Sequence, residues 1–464
     1  MVSRPVGIVD RKAALALAML SSFLTPFMAS SIYVALPSMS DEFSMSTVEY
    51  SWVATSYLLA AAALLVPFGR IADIKGRKRI FLAGMWLFAV ASVLCALAPS
   101  SLLLISFRFI QGFGGAMIFG TSIAILTSVY PPHERGKALG LTISVTYIGL
   151  SAGPVLGGFL TGWVGWRSIF MVLLPGVAAV LWIGTVRLKG EWAEACGEEF
   201  DLNGSIIYAA SLTAVVVGFT MLPDMLGILI SLLGAVGIGS FVAWELRVKF
   251  PVLNMTLFRH NRPFAFSNLA ALVNYSATFA VAFLMSFYLE VARGYSEAET
   301  GLILISQTIV MASFSPIAGK LSDVVEPQIV ASVGMGFTTL GLVLLSFVNL
   351  DTEVWTIVAY LAILGFGFAL FSSPNTNAIM GSVERKQYGV ASATVGTMRL
   401  VGQVLSIGIA TIFLSIYIGD VQITPDVVPQ FMDAIPVAFD TFAVMCFVGV
   451  FASLARGRVR RSLE

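Results

Sequence analysis

The sequence predicts an all-α integral membrane protein in which fourteen transmembrane helices form two six-helix bundles with an inserted helix pair. Of its 464 residues, 58% are apolar and only 11% are charged. Soluble globular domains carry about 25% charged residues, so this composition excludes an ordinary water-soluble protein. The formal net charge of +1 gives no reason to expect nucleic acid or an acidic partner.

The transmembrane helices are predicted from uncharged stretches long enough to cross the bilayer, which requires about 20 apolar residues. Charged residues or Gly, Pro and Asn turns bound each stretch. The first stretch is too long for a signal peptide and thirteen more follow it, so we expect no cleavage. The predicted spans are 13–37, 50–69, 80–98, 102–130, 138–161, 167–187, 203–222, 225–244, 263–290, 299–319, 328–348, 354–380, 388–418 and 437–455.

The basic residues set the predicted orientation of these spans, because cytoplasmic loops are enriched in Lys and Arg. With the N-terminus inside, 23 of the 27 basic residues fall in cytoplasmic segments, and only Arg167 and Arg293 fall in outside loops. The outer loop 419–436 carries Asp residues and no basic residue. We therefore expect a multi-pass protein of the plasma (cytoplasmic) membrane with both termini in the cytoplasm.

Two loops that lie eight spans apart resemble each other. The loop after the second span reads GRIADIKGRKR over 69–79, and the loop after the tenth reads GKLSDV over 319–324. A duplicated six-helix unit has this spacing only if two helices are inserted between the copies. We therefore predict an N-terminal six-helix bundle over 1–190, an inserted helix pair with cytoplasmic linkers over 191–262, and a C-terminal six-helix bundle over 263–464. Internal repeats of this kind place a substrate site at the midplane between the halves.

Four local patterns carry a family resemblance. They are GRIADIKGRKR over 69–79, RFIQGFGGA over 108–116, GLSAGPVLGG over 149–158 and WRSIF over 166–170. In this order and on these spans, they resemble the major facilitator superfamily, specifically its fourteen-helix branch of drug:proton antiporters. The resemblance implies multidrug efflux driven by proton antiport, with drug resistance as the outcome.

The resemblance also implies that the loop after the second span is a conformational switch. Asp73 would hold neighbouring Arg side chains and a facing helix N-terminus in the outward-open state, while Gly69 and Gly76 permit tight turns. The alternative for Arg77 and its basic neighbours is simple anchoring of the loop on the inside.

The fifth predicted span carries Gly149, Gly153 and Gly157 at intervals of four residues. Pro154 lies within the same span, where we expect it to bend the helix. Such a stripe packs closely against another helix. The family resemblance associates it with antiporters, which favours export.

Arg108 and Arg399 lie inside predicted spans, where an Arg costs at least ~2.5–3.5 kcal/mol on insertion scales. The resemblance implies that Arg108 acts in proton coupling. The alternative is a structural Arg satisfied by backbone carbonyls. Arg399 matches no motif. Its role is either contact with the substrate or a structural pairing within the protein.

The first span departs from the family pattern. Relatives that export cations carry an Asp in a stretch like L-D-x-T-I-V-N-V-A-L-P, whereas this chain has Met28 and Tyr33 where the Asp and Asn would be. The missing Asp therefore favours neutral or anionic substrates, and it leaves the proton-carrying residue unassigned. Asp73 or Glu290 could serve if burial raised its pKa.

A substrate pocket is predicted from aromatic and uncharged polar residues within the spans of both halves, although Asn within a span also serves as a contact between helices. A large apolar cavity with few polar groups suits broad specificity. The candidates are Tyr33, Tyr57, Gln111, Asn274, Tyr275, Gln307, Asn375, Asn377 and Arg399.

Other classes of protein are disfavoured. A nucleotide-driven pump would carry a phosphate-binding loop, which is absent, and a membrane enzyme would need a soluble catalytic domain or a catalytic constellation within a span. A channel would need a ring of polar residues. The expected partners are a small-molecule substrate, protons and the lipid bilayer, and no nucleic acid is expected. We expect the protein to be a monomer. The three widely spaced cysteines indicate neither a metal nor a disulfide framework, and no cofactor is expected.

Overall fold

The computed structural model describes residues 10–45, 47–222, 224–418 and 428–457. Within these ranges, fourteen helices are long and apolar enough to cross a membrane, which confirms the predicted number. Their bounds are α1 Arg11–Phe43, α2 Thr47–Lys75, α3 Arg77–Ala96, α4 Ser101–Val129, α5 Pro132–Val164, α6 Ser168–Arg187, α7 Leu202–Thr220, α8 Met225–Glu245, α9 Arg262–Ala292, α10 Glu297–Val324, α11 Pro327–Ser346, α12 Val354–Gly381, α13 Tyr388–Ile418 and α14 Val428–Ala455.

Several helices extend beyond the predicted spans. The helix α14 begins at Val428 rather than near residue 437, and it includes Asp433 and Pro436. The Asp433 side chain is exposed, so a charged residue that suggested a loop is accommodated on a helical turn. Of the predicted outer loop 419–436, residues 419–427 lie outside the described residues, as do the basic residues of both termini in 1–9 and 458–464.

Two helices are interrupted. In α6, a turn over Ser168–Met171 precedes the segment Leu174–Trp182, whose first turn contains a proline without an N–H to donate. The helix then ends in a π-helical turn over Ile183–Arg187. A similar π-helical turn over Tyr288–Ala292 ends α9.

The chain divides into two units. The first comprises Met1–Ala209, Trp244–Asn254 and Val383–Thr397, and the second comprises Ala210–Ala243, Met255–Ser382 and Met398–Glu464. The start of α13 therefore packs with the first unit.

Both units contain the same helix pairing. In the first unit, α2 and α3 both pack on α4, and in the second unit α10 and α11 both pack on α12. This pairing repeats at the eight-span interval that separates the two similar loops. Buried Met28, Phe81, Phe88 and Phe170 lie in the apolar core of the first unit, where α1 also packs along α5.

Candidate functional site

Asp73 lies near the end of α2 and is completely buried. Its Oδ1 accepts hydrogen bonds from Nε and Nη2 of Arg77 at 2.8 and 2.7 Å. The same carboxylate accepts the backbone N–H groups of Gly389 at 2.8 Å and of Val390 at 3.0 Å. Both amides belong to the first turn of α13, where the helix dipole favours negative charge. Asp73 therefore joins the end of α2 to the N-terminus of α13.

The backbones of α2 and α13 meet at two glycines. A Cβ on Gly69 would lie 2.6 Å from the carbonyl oxygen of Gly389. Conversely, a Cβ on Gly389 would lie 2.4 Å from the carbonyl oxygen of Gly69 and 2.7 Å from Oδ1 of Asp73. Neither contact leaves room for a side chain, so these glycines allow Asp73 to reach the helix N-terminus.

Arg77 is buried rather than anchored in a loop. Its Nη1 donates to Oγ of Ser128 at 2.8 Å, and its Nη2 also donates to the carbonyl of Arg385. Its guanidinium lies 5.3 Å from the ring centre of Tyr388, and Arg135 donates to the hydroxyl of that same tyrosine at 2.9 Å. Charge and aromatic contacts therefore hold the start of α13 beside the start of α3 and of α5.

Glu191 caps the N-terminus of α3. Its carboxylate accepts the backbone N–H groups of Lys78 at 2.9 Å and Arg79 at 3.2 Å, and that of its neighbour Trp192 at 3.1 Å. Partial burial raises the pKa of Glu191 above its ordinary value, and these three N–H groups oppose the shift. Gly76 has a φ of +115°, and a Cβ there would lie 2.5 Å from the Glu191 carboxyl carbon. Through Glu191, the segment that follows α6 therefore packs against the turn between α2 and α3.

The glycine stripe of α5 packs against α1. A Cβ on Gly149 would lie 2.7 Å from the carbonyl oxygen of Phe23, and one on Gly153 would lie 1.9 Å from Oγ of Ser30. A Cβ on Gly157 would lie 2.8 Å from Cβ of Ser31. Pro154, in contrast, is exposed. The stripe therefore brings two backbones together.

Arg108 lies in a buried polar network on α4 and is 1% exposed. Its Nε donates to the carbonyl of Val53 at 3.0 Å, and its Nη1 donates to Oε1 of Gln111 at 2.6 Å. Gln111 in turn donates to Oγ of Ser92 at 2.7 Å. The guanidinium lies 4.7 Å from the ring centre of Tyr57. Among the described residues, this arginine thus contacts carbonyl oxygens and a ring rather than a carboxylate.

The pocket candidates of α1 and α2 have different surroundings. Tyr57 is buried, and its hydroxyl has no hydrogen-bond partner among the described residues. Tyr33 is 54% exposed. Met28, at the position of the missing Asp, is completely buried.

The second unit holds a buried polar network that the sequence did not indicate. Arg456, one residue beyond α14, is completely buried and donates from Nη1 to Oδ1 of Asn375 at 2.9 Å and to Oγ of Ser267 at 3.2 Å. Nδ2 of Asn375 donates to the carbonyl of Ser267 at 3.1 Å. Asn377 donates separately to Oγ of Ser322 at 3.0 Å. Both Asn side chains thus have partners within the protein.

The remaining candidates of the second unit lie on several helices. Arg399 is half-buried, with its guanidinium 5.8 Å from the ring centre of Tyr275. Asn274 is buried, and its Oδ1 has no partner among the described residues. Gln307 is half-buried on α10, and Glu290 is exposed in the π-helical turn of α9.

No cluster of His, Cys, Asp and Glu suited to a metal ion occurs in the part of the chain that the structure describes. Sequence reasoning missed Glu191, Tyr388, Gly389 and Arg456. Their partners lie far away in sequence, and nothing in their local sequence marks them as partners of α2, α3 or α12.

Comparison with known proteins identifies the family. The family model described as Major Facilitator Superfamily matches residues 18–258 and 267–463. The chain belongs to the major facilitator superfamily. It is therefore a multi-pass membrane transporter of small molecules rather than an enzyme, and its relatives include proteins of the drug-efflux branch.

Two curated relatives of this superfamily member are each 30% identical to it over the aligned residues. The riboflavin transporter RibZ of Clostridioides difficile (strain 630) aligns over 397 residues, which cover 85% of each chain. The multidrug resistance protein Stp of Mycobacterium tuberculosis (strain ATCC 25618 / H37Rv) aligns over 390 residues, covering 82% of this chain and 71% of that relative. The solved structure of the human organic anion transporter MFSD10 (TETRAN) has a TM-score of 0.70 at 12% identity, and covers 96% of this chain and 99% of that one. This last likeness shows the fold.

Proposed function

We propose that this transporter is a secondary active efflux antiporter that exchanges protons for amphipathic drugs or other small hydrophobic compounds by alternating access. The observation that carries export is the glycine stripe of α5, which packs without side chains against α1. The family resemblance links this stripe to antiporters. Relatives such as Stp, named for multidrug resistance, support the same substrate class.

Proton coupling is assigned to Arg108 and to the α2–α3 turn. Arg108 is buried among carbonyl oxygens. Because this site has a low dielectric constant, a charge gained or lost nearby interacts strongly with the Arg108 guanidinium. Asp73 accepts four N–H groups, which suits a carboxylate and not a carboxylic acid. Protonation of Asp73 would therefore weaken its hold on α13. Glu290 is the alternative proton carrier, but it is exposed at the end of α9 and so lacks the burial on which that assignment depended.

The switch also involves Gly69, Gly76 and Arg77, together with Gly149, Gly153, Gly157 and Pro154 in α5. Substrate contact is assigned to the aromatic and amide groups predicted for the pocket. The strongest members of that set are the Tyr57 hydroxyl and the Asn274 side-chain carbonyl, which have no hydrogen-bond partner among the described residues. A buried polar atom of this kind favours a ligand that supplies the partner.

The orientation follows from the basic residues. We place both termini in the cytoplasm and the chain in the plasma membrane as a monomer, surrounded by lipid. We further assign residues 1–190 and 263–464 to the two repeated bundles and 191–262 to the inserted pair.

A second candidate function is export of a specific neutral or anionic metabolite or lipid-like molecule. It is favoured by Met28, a buried thioether where cation exporters carry an acid, and by the cation of Arg108. The relative RibZ, named as a riboflavin transporter, is consistent with a specific organic substrate.

Proton release on substrate addition separates the two candidates. The purified protein is placed in unbuffered detergent solution, and a lipophilic cation, a neutral amphiphile or an anionic amphiphile is added. Antiport of cations predicts proton release with the lipophilic cation, lost in Arg108→Ala or Asp73→Asn. Binding of only the neutral or anionic compound, without proton release, would support the second candidate and overturn the first.

A further inference from the structure

A pair of carboxylates lies at the ends of the inserted helices, apart from the groups assigned to coupling. Asp201 directly precedes α7, and Glu245 is the last residue of α8. Oε1 of Glu245 and Oδ2 of Asp201 would lie 2.3 and 2.5 Å from the same point, a Cβ built on Gly204. The two oxygens are therefore no more than 4.8 Å apart, beside a residue that has no side chain.

The two carboxylates differ in how their oxygens are satisfied. Oδ1 of Asp201 accepts the backbone N–H of Gly204 at 2.9 Å, and its Oδ2 accepts the indole N–H of Trp244 at 2.8 Å. Oε2 of Glu245 accepts the backbone N–H of Leu253 at 3.0 Å. Its Oε1 has no hydrogen-bond partner in the described part of the chain, although Glu245 is only 3% exposed.

No basic side chain among the described residues donates a hydrogen bond to this oxygen, although the positive charge of Arg70 acts on Glu245. Arg70 is 6% exposed at the end of α2, but its Nη2 pairs with Glu198, and its Nε donates to no acceptor among the described residues. Lys249 and Glu199 line a groove of about 420 Å³ with Asp201 and Trp244. The groove opens beside Asp201 and carries charges of both signs.

We propose that Asp201 and Glu245 share one bound proton and form a proton site distinct from Arg108 and Asp73. As a carboxylic acid, Glu245 donates from Oε1 toward Oδ2 of Asp201, which satisfies the buried oxygen and removes the repulsion between two adjacent anions. The proton then holds the start of α7 to the end of α8 and, through Leu253, to the following linker. Loss of the proton loosens this contact, so the inserted pair responds to pH on the side that we assign to the cytoplasm.

Infrared spectroscopy tests the bound proton directly, without substrate or gradient. The wild-type protein is expected to show the carbonyl stretch of a protonated carboxyl group near neutral pH, and Glu245→Gln is expected to lose that intensity. Asp201→Asn is expected to move the titration midpoint of the band to lower pH, since the neighbouring negative charge is gone. Glu199→Gln, an exposed residue of the same groove, is the matched control and keeps the band. An identical carboxyl band in the wild type and in Glu245→Gln would overturn the proposal.

Trp244 provides a second readout that keeps the test decisive if Glu245→Gln does not fold. Its indole donates to Asp201, so its emission should follow the charge of the pair. The pH-dependent part of the tryptophan emission from about pH 5 to pH 9 should disappear in Trp244→Phe and shift in Asp201→Asn. Emission of the wild type that is independent of pH in this range would contradict a shared proton. Proton release by substrate remains a separate measurement, so either proposal can fail alone.

Discussion

The Asp73 carboxylate accepts the backbone N–H of Gly389 at 2.8 Å, although the two residues are 316 positions apart in the chain. The bond is buried, and Arg77 lies on the other side of the carboxylate. A negative charge at a helix N-terminus is stabilising, and the low-dielectric interior strengthens its interaction with the guanidinium. The ionised carboxylate thus stabilises the conformation in which α2 and α13 are joined.

Replacing Asp73 by Asn should destabilise the protein and impair transport. The substitution leaves Arg77 as a buried cation without its anion, and such losses cost about 3–5 kcal/mol. Thermal unfolding in detergent and transport in proteoliposomes measure the two effects. Asp41→Asn, at an exposed position of α1, is the control and should behave like the wild type. Equal stability of both variants would show that Asp73 does not hold α13.

Replacing Gly389 by Ala should disrupt the same junction through shape alone. The new Cβ would meet the Gly69 carbonyl oxygen at 2.4 Å, a backbone atom that cannot rotate away. We expect a lower unfolding temperature and at least about tenfold slower transport, because roughly 1.4 kcal/mol of strain in the active conformation is enough for that factor. Gly162→Ala in α5 is the matched control, since a Cβ there meets nothing within 4 Å. That control should be neutral or slightly stabilising, because Ala favours a helix more than Gly does. Similar behaviour of the two variants would contradict the close contact.

Arg108→Lys should abolish coupling while retaining the positive charge. A lysine ammonium cannot reproduce the planar geometry that serves Val53, Gln111 and the Tyr57 ring together. Substrate-induced proton release should fall at least about tenfold, a loss of roughly 1.4 kcal/mol of coupling, whereas exposed Arg259→Lys should leave it unchanged. Full proton release in Arg108→Lys would mean that charge alone is required at this position.

The pH dependence of stability should reveal the Glu191 cap. Because partial burial raises the pKa of Glu191, the folded protein binds more protons than the unfolded chain just above the ordinary glutamate value of about 4.3. The stability that this group contributes is present below that pH and decreases as pH rises through the raised pKa. The unfolding temperature of the wild type should therefore fall relative to that of Glu191→Gln as pH rises through this window. Exposed Glu194→Gln is the control, and a difference that grows with pH would contradict the assignment.

Fourteen spans were predictable because each requires a long uncharged stretch, whatever its neighbours are. The interruptions of α6 and α9 were not, since π-helical turns depend on local packing and leave no clear mark in composition. The start of α14 was also misjudged, because an exposed Asp433 can lie on a helix.

At the site, the resemblance indicated Asp73, Arg77 and a facing helix N-terminus, but it did not identify which helix. Gly389 became recognisable only through the tertiary contact with Gly69. Similarly, Arg456 follows the last span and suggested a cytoplasmic tail, yet its guanidinium is buried against Asn375. Long side chains near helix ends can turn inward as well as outward, and only the packed structure decides between the two.

Transport driven by a pH gradient tests the central claim most directly. Proteoliposomes containing the wild type or Arg108→Lys are loaded with an acidic interior, and uptake of a fluorescent lipophilic cation is followed before and after an ionophore collapses the gradient. Proton-coupled antiport predicts uptake by the wild type that requires the gradient and is lost in the variant. Uptake at the same rate after the gradient has collapsed would contradict proton-coupled efflux.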